Sequence, residues 1–227
     1  FLIFFFGYLF IAISWGMGSS LQIYMNTYFW EFKSIMLASY LGIYVLSTLS
    51  AFLIVPRLVR LIEKRTILLI AISFAALIPP IPIILFINDL LPNTGTWNLF
   101  YATVPFVYVA NTCLSSSAII RESMLGDISD EVELESGIGQ QGLMFASSSL
   151  IGKLNTGLGI LMAGITLEFI NFPQGTNVIP TAENIFNLAM VQGPLVAVLM
   201  IIPFGIFSLY GIDRYRHQEI LAKLGPK

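Results

Sequence analysis

Charged residues are scarce here: they make up 11% of 227 residues, against roughly 25% in an ordinary soluble domain. There is one cysteine, Cys113, which excludes an internal disulfide and reads as a small core residue. The single histidine, His217, lies in the polar tail, so no His-based metal site is expected inside the apolar segments. A formal net charge of −2 and the lack of any long basic run argue against nucleic acid as a partner. The opening FLIFFFGYLFIAISWGMGSS has no basic leader and stays apolar too long for a cleavable signal peptide. The chain also starts without Met, inside a hydrophobic segment, and is expected to be part of a longer polypeptide.

Apolar side chains are what the sequence has. They form 56% of it, mean hydropathy is +0.84, and they come in blocks long enough to cross a bilayer as helices. The fold class expected is all-α: a polytopic membrane protein whose solvent is lipid. Six spans are expected, over residues 1–29, 35–56, 67–87, 99–120, 143–170 and 185–210, because open strands cannot satisfy their backbone groups in hydrocarbon. The connections then alternate between two sides. Arg57, Arg60, Lys64, Arg65, Arg121, Arg214, Arg216, Lys223 and Lys227 fall on one side and Lys33 on the other, so both ends are expected in the cytoplasm. Trp30 and Trp97 fall near the outer interface. Pro79, Pro80 and Pro82 interrupt the third span, and Gly193, Pro194 and Pro203 the sixth. Such breaks serve the moving helices of transporters, and membrane helices also tolerate them without a role.

Lys153 stands near the middle of the fifth span, in SSSLIGKLNTG. A lysine at a helix centre costs about 2.5–3.5 kcal/mol even on lenient insertion scales, so it should face a cavity or a carboxylate. Ser149 precedes it by one turn, and Asn155 and Thr156 follow. Gly152, Gly157, Gly159, Ala163 and Gly164 offer a small-residue surface for another helix. No carboxylate lies deep in the six spans, so the counter-charge is expected from another part of the protein. Two further helices carry polar stripes: Trp15, Ser19, Gln22 and Asn26 on the first, and Tyr108, Asn111, Thr112 and Ser115 on the fourth. Each suits the cavity of a polyhydroxylated ligand, and each suits plain interhelical hydrogen bonding.

The fourth-to-fifth connection contains MLGDISDEVELESG, an acidic cytoplasmic loop in this reading. With the mid-span lysine that follows, it resembles the family of melibiose permease-like glycoside–pentoside–hexuronide:cation symporters. The family's M-x-A-D-x-x-D-x-x-E pattern is met at Met124, Gly126, Asp127, Asp130 and Glu133, and LVRLIEKRT resembles its basic inner loop. The match departs at Gly139, Gln140 and Gln141, where relatives often carry Arg and Glu. The resemblance implies the second half, helices seven to twelve, of a major facilitator transporter in a bacterial inner (plasma) membrane. It implies Na⁺, Li⁺ or H⁺ as coupling ion and no other cofactor. It also implies a sugar-like substrate, membrane lipid around the bundle, and an N-terminal six-helix half as partner. Lys153 and Ser149 are then the cation-coupling residues and Asp127, Asp130 and Glu133 the cytoplasmic motif. A lipid-like or amphipathic cargo remains open. So does a six-helix scaffold. A Ser149–Lys153 hydrolase lacks an evident oxyanion site, and the chain is read as not an enzyme.

Overall fold

Long apolar runs bounded by polar turns close their hydrogen bonds internally, and every element found is helical. The computed structural model describes residues 1–173, 180–212 and 214–224; the side chains of Thr156, Arg214, Leu221 and Leu224 fall outside the described ones, as does Lys227. The helices are α1 (Leu2–Tyr24), α2 (Ser34–Leu61), α3 (Lys64–Leu77), α4 (Pro80–Ile87), α5 (Trp97–Ser136), α6 (Gln141–Phe169), α7 (Ala182–Met190), α8 (Val196–Leu199), α9 (Ile201–Phe207) and α10 (Arg214–Leu224). A π-helical turn, Met25–Phe29, extends α1, and another, Val191–Leu195, joins α7 to α8. Together they make six segments long and apolar enough to cross a membrane: Leu2–Phe29, Ser34–Leu61, Lys64–Ile87, Trp97–Ser136, Gln141–Phe169 and Ala182–Phe207. The six expected spans are there. The protein is a multi-pass, all-α membrane protein.

The breakers act where their chemistry requires. The third span is interrupted at Ile78 and Pro79, because a ring nitrogen donates no backbone bond. In the sixth span Gly193 and Pro194 sit within the π turn, and Pro203 lies in the first turns of α9.

The fourth segment differs from the expectation. The acidic stretch from Arg121 to Ser136 is no loop but the last four turns of a 40-residue helix. Met124, Leu125 and Ile128 recur at helical spacing and bury their side chains against Ile67 and Leu68 of α3, so burial of one face carries the helix past the apolar run. Gly137 ends it in the left-handed region, φ 70°, its N–H bonding the Glu133 carbonyl at 2.9 Å. Arg121 accordingly leaves the basic loop group: it is 6% exposed, inside the bundle.

Packing pairs the spans in a pattern. The first lies against the fifth and sixth, and the fourth against the second and third. Exchanging spans one to three for spans four to six turns the first statement into the second. At the crossing of α1 and α6 Gly16 meets Gly159. A Cβ on Gly16 would stand 2.9 Å from the Gly159 Cα and 2.5 Å from the Asn155 carbonyl oxygen, so only glycine permits this approach. Gly157 and Gly164 instead face open space. Two apolar clusters fill the two ends of the bundle. One gathers Met17, Leu21, Met36, Leu99 and Leu188, with Trp30 buried among Phe29, Phe32 and Phe86. Trp97 is exposed. The other gathers Phe4, Leu68, Met124 and Phe207.

Candidate functional site

Between α1, α5 and α6 lies a cavity of about 230 Å³. Tyr8 and Trp15 reach it from α1, Ser115 and Arg121 from α5, and Asn155 from α6, with apolar side chains between them. Trp15, Ser115 and Asn155 were candidates from the sequence; Tyr8 and Arg121 were not. Tyr8 precedes Trp15 by seven residues, two helical turns, which is the signal for a shared face. Arg121 was masked by its count among loop cations, although Ser117 one turn earlier marks it as part of a polar helix face.

Arg121 is held from two sides. Its guanidinium carbon lies 4.7 Å from the centroid of the Tyr8 ring, and Nη1 donates to Ser117 Oγ at 2.8 Å. Its Nε is shielded from solvent and has no hydrogen-bond partner among the described residues. Glu122, next along the helix, accepts from Ser148 Oγ of α6 at 2.9 Å.

The stripe on the fourth span turns mainly to α2. Tyr108 Oη is 2.6 Å from Ser50 Oγ, Asn111 Nδ2 donates to Ser47 Oγ, and Ser115 Oγ lies 3.2 Å from Thr48 Oγ1. Thr112 donates back to the Tyr108 carbonyl at 2.8 Å. Of the four, Ser115 alone also lines the cavity. The first-span stripe divides. Trp15 and Ser19 stay exposed, whereas Gln22 donates to Asn26 Oδ1 at 3.0 Å and accepts at 3.0 Å from Gln192 Nε2. Gln192, unnoticed in the sequence beside Gly193 and Pro194, also reaches the Gly18 carbonyl at 2.9 Å, tying the first span to the break in the sixth.

Lys153 does not line the cavity. It lies on the exposed face of α6 together with Ser149 and Gly157, and it makes no hydrogen bond or ion pair among the described residues. Asn155, two residues on, points to α1 instead. The Thr156 side chain lies outside the described residues.

The acidic motif forms a network at the far end of α5. Asp127, 6% exposed, receives Lys64 Nζ at 2.6 and 2.7 Å. His217 Nε2 of α10 lies 3.4 Å from Asp127 Oδ1 and 3.3 Å from Asp130 Oδ2, and Arg216 pairs with Glu131 at 3.0 Å. Burial, with Asp127 and Glu131 adding to it, pushes the Tyr210 phenol up. Glu133 closes α5 through the backbone bond to Gly137. The motif therefore clamps α3, α5 and α10 together.

The family model described as MFS/sugar transport protein matches residues 1–214 of the chain. No curated protein matches it.

Proposed function

The chain belongs to the MFS/sugar transport protein family, and on that premise we propose that it is helices seven to twelve of a cation-coupled symporter for a sugar or glycoside. The premise makes it part of a major facilitator transporter. The symport, the half and the cargo are our reading.

One observation carries the reading: Lys153, exposed on this bundle and without a partner among the described residues, near the middle of a span. It stands about 18 Å from the start of α6, too deep for its ammonium to reach water from a lipid-facing position. A second bundle covering this face supplies the counter-charge, and exposed Gly157 and Gly164 let its helices come close. The exchange pattern of the spans supports the same reading, because three-plus-three inverted repeats build each half of such transporters. Carboxylates of the N-terminal half would hold Na⁺, Li⁺ or H⁺, and Lys153 would balance their charge when the ion leaves, with Ser149 one turn away. The two halves would rock about a midplane site, both ends of this segment lying in the cytoplasm of a bacterial inner membrane. The apolar side chains between the polar groups of the cavity favour one second reading, an amphipathic cargo.

The test is uptake of labelled glycosides into proteoliposomes holding the complete transporter, under an imposed Na⁺, Li⁺ or H⁺ gradient. Accumulation that collapses with the gradient is expected. Equilibration that no gradient changes refutes symport, and failure of simple glycosides to compete with an amphipathic cargo moves the reading to the second one.

A further inference from the structure

Because α5 continues as a helix past Arg121, it carries a carboxylate to α6 that a loop would leave in water. Glu122 accepts from Ser148 Oγ at 2.9 Å, and Ser148 stands five residues before Lys153 on α6, about 7.5 Å along the axis. Side chains on a helix lean toward its N-terminus, and lysine carries its charge at the end of a long flexible stem. The ammonium of Lys153 therefore leans back toward the turn of Ser148 and Ser149. Glu122 and Lys153 are both exposed on this bundle, whereas Ser148 is buried. The carboxylate thus lies at the open edge of the α5–α6 seam. Arg121, its neighbour along α5, acts on it electrostatically from inside, and Ser148 holds it by one hydrogen bond. Two carboxylate oxygens offer more acceptor positions than that, so room for an ammonium is left.

We propose that Glu122 is the partner of Lys153 within this chain, taken when the coupling ion displaces the lysine from the carboxylates of the other half. An ammonium released at that depth has to find another anion or water, because hydrocarbon does not solvate it. Glu122 is the group that the α5 extension sets within its reach. Lys153 then alternates between two sets of acids, one with the ion absent and one with it bound. Neither state leaves a bare charge: when the lysine is away, Glu122 keeps Arg121 and Ser148. Ser148 is the positioning residue that holds the carboxylate at the seam. The inference rests on the symporter reading and adds a residue to its coupling site.

The experiment is zero-length cross-linking of the complete transporter with dicyclohexylcarbodiimide. The reagent joins a carboxylate to an amine in contact with it, with loss of one water, and mass spectrometry identifies the joined peptides. The medium supplies Na⁺, Li⁺ or H⁺ in turn, or choline at alkaline pH, and the Lys64–Asp127 pair, 2.6 Å apart, is the internal reference. A Glu122–Lys153 link that one of the ions strengthens several-fold against that reference is expected. A link of equal yield in every medium, or none in any, overturns the proposal, and this comparison needs no variant to fold. Gradient-driven uptake without an ion-dependent link refutes this inference alone; uptake that no gradient drives removes the symporter reading and this inference with it. Glu122→Gln keeps an acceptor for Ser148 and loses the charge. It should raise the ion concentration for half-maximal substrate exchange at least about tenfold, the worth of one charge-assisted pair, and change nothing further in Lys153→Ala. Ser148→Ala should shift that concentration less. Equal shifts in Glu122→Gln and Ser148→Ala, with equal losses of unfolding midpoint, make Glu122 a strut between α5 and α6 and overturn the coupling role. An effect of Glu122→Gln that persists undiminished in Lys153→Ala overturns it as well.

Discussion

Lys64 Nζ stands 2.6 Å from Asp127 Oδ2, and that pair joins the first turn of α3 to the helical extension of α5. Asp127 is buried, so removing the lysine leaves its carboxylate with the His217 imidazole, 3.4 Å away, as its remaining neighbour. The penalty for breaking a fully buried pair is about 3–5 kcal/mol. Here the lysine side chain is 24% exposed, and water softens the loss to about 2 kcal/mol. Lys64→Ala and Asp127→Asn should each lower the thermal unfolding midpoint of the transporter. The double variant should lose clearly less than the sum of the two. Strict additivity would show that the two groups do not stabilise one another.

The Gly16–Gly159 crossing makes a second prediction. An added methyl would meet the backbone of Asn155 and Gly159 as well as the Asn155 side-chain oxygen, and the backbone cannot turn aside, so the helices must separate. Gly16→Ala should destabilise by about 1–3 kcal/mol, the range for overpacking. Gly126, within α5 and facing open space, is the control: Gly126→Ala should be neutral or stabilise by up to about 1 kcal/mol. Equal unfolding midpoints for the two variants would mean that α1 and α6 are not in tight contact.

How much of this could be read beforehand depended on what each signal measures. Span number and the breaks at Pro79 and Gly193 follow from length, apolarity and proline chemistry, which are local. The end of α5 was misread because hydropathy falls at Arg121 while the helical period of Met124, Leu125 and Ile128 continues; charge hid an amphipathic face. Arg121 was lost through the same error. The stripe of Tyr108, Asn111 and Ser115 looks the same whether it faces a cavity or a neighbour. Only the register of α2, which brings Ser47, Thr48 and Ser50 opposite, decides. Asn155 and Lys153 are two residues apart, about 200° around a helix, so one glycine contact sends them to opposite faces.

That register carries a third prediction. Tyr108→Phe removes a hydroxyl bonded to Ser50 at 2.6 Å and nothing that lines the cavity. Interhelical hydrogen bonds in membranes are worth about 0.6 kcal/mol on average. The variant should therefore show a slightly lower unfolding midpoint and an unchanged KM for uptake. A KM raised tenfold with unaltered stability would return Tyr108 to the substrate path.

The last prediction concerns Lys153, and its force lies in separating two roles that a lysine in a membrane can have. A structural lysine holds a helix in place through its charge, and its loss shows in insertion, yield and unfolding. A coupling lysine competes with an ion, and its loss leaves the fold while uncoupling the fluxes. Its exposure on α6, with no partner among the described residues, leaves the intrinsic stability of these six helices with little to lose. Lys153→Ala should insert and unfold as the wild type does, yet lose accumulation of substrate against its gradient. Exchange of labelled for unlabelled substrate should persist, because binding and rocking do not need the ion to be expelled. Undiminished accumulation by Lys153→Ala would end the coupling role. A variant that fails to insert would instead make the charge a folding determinant.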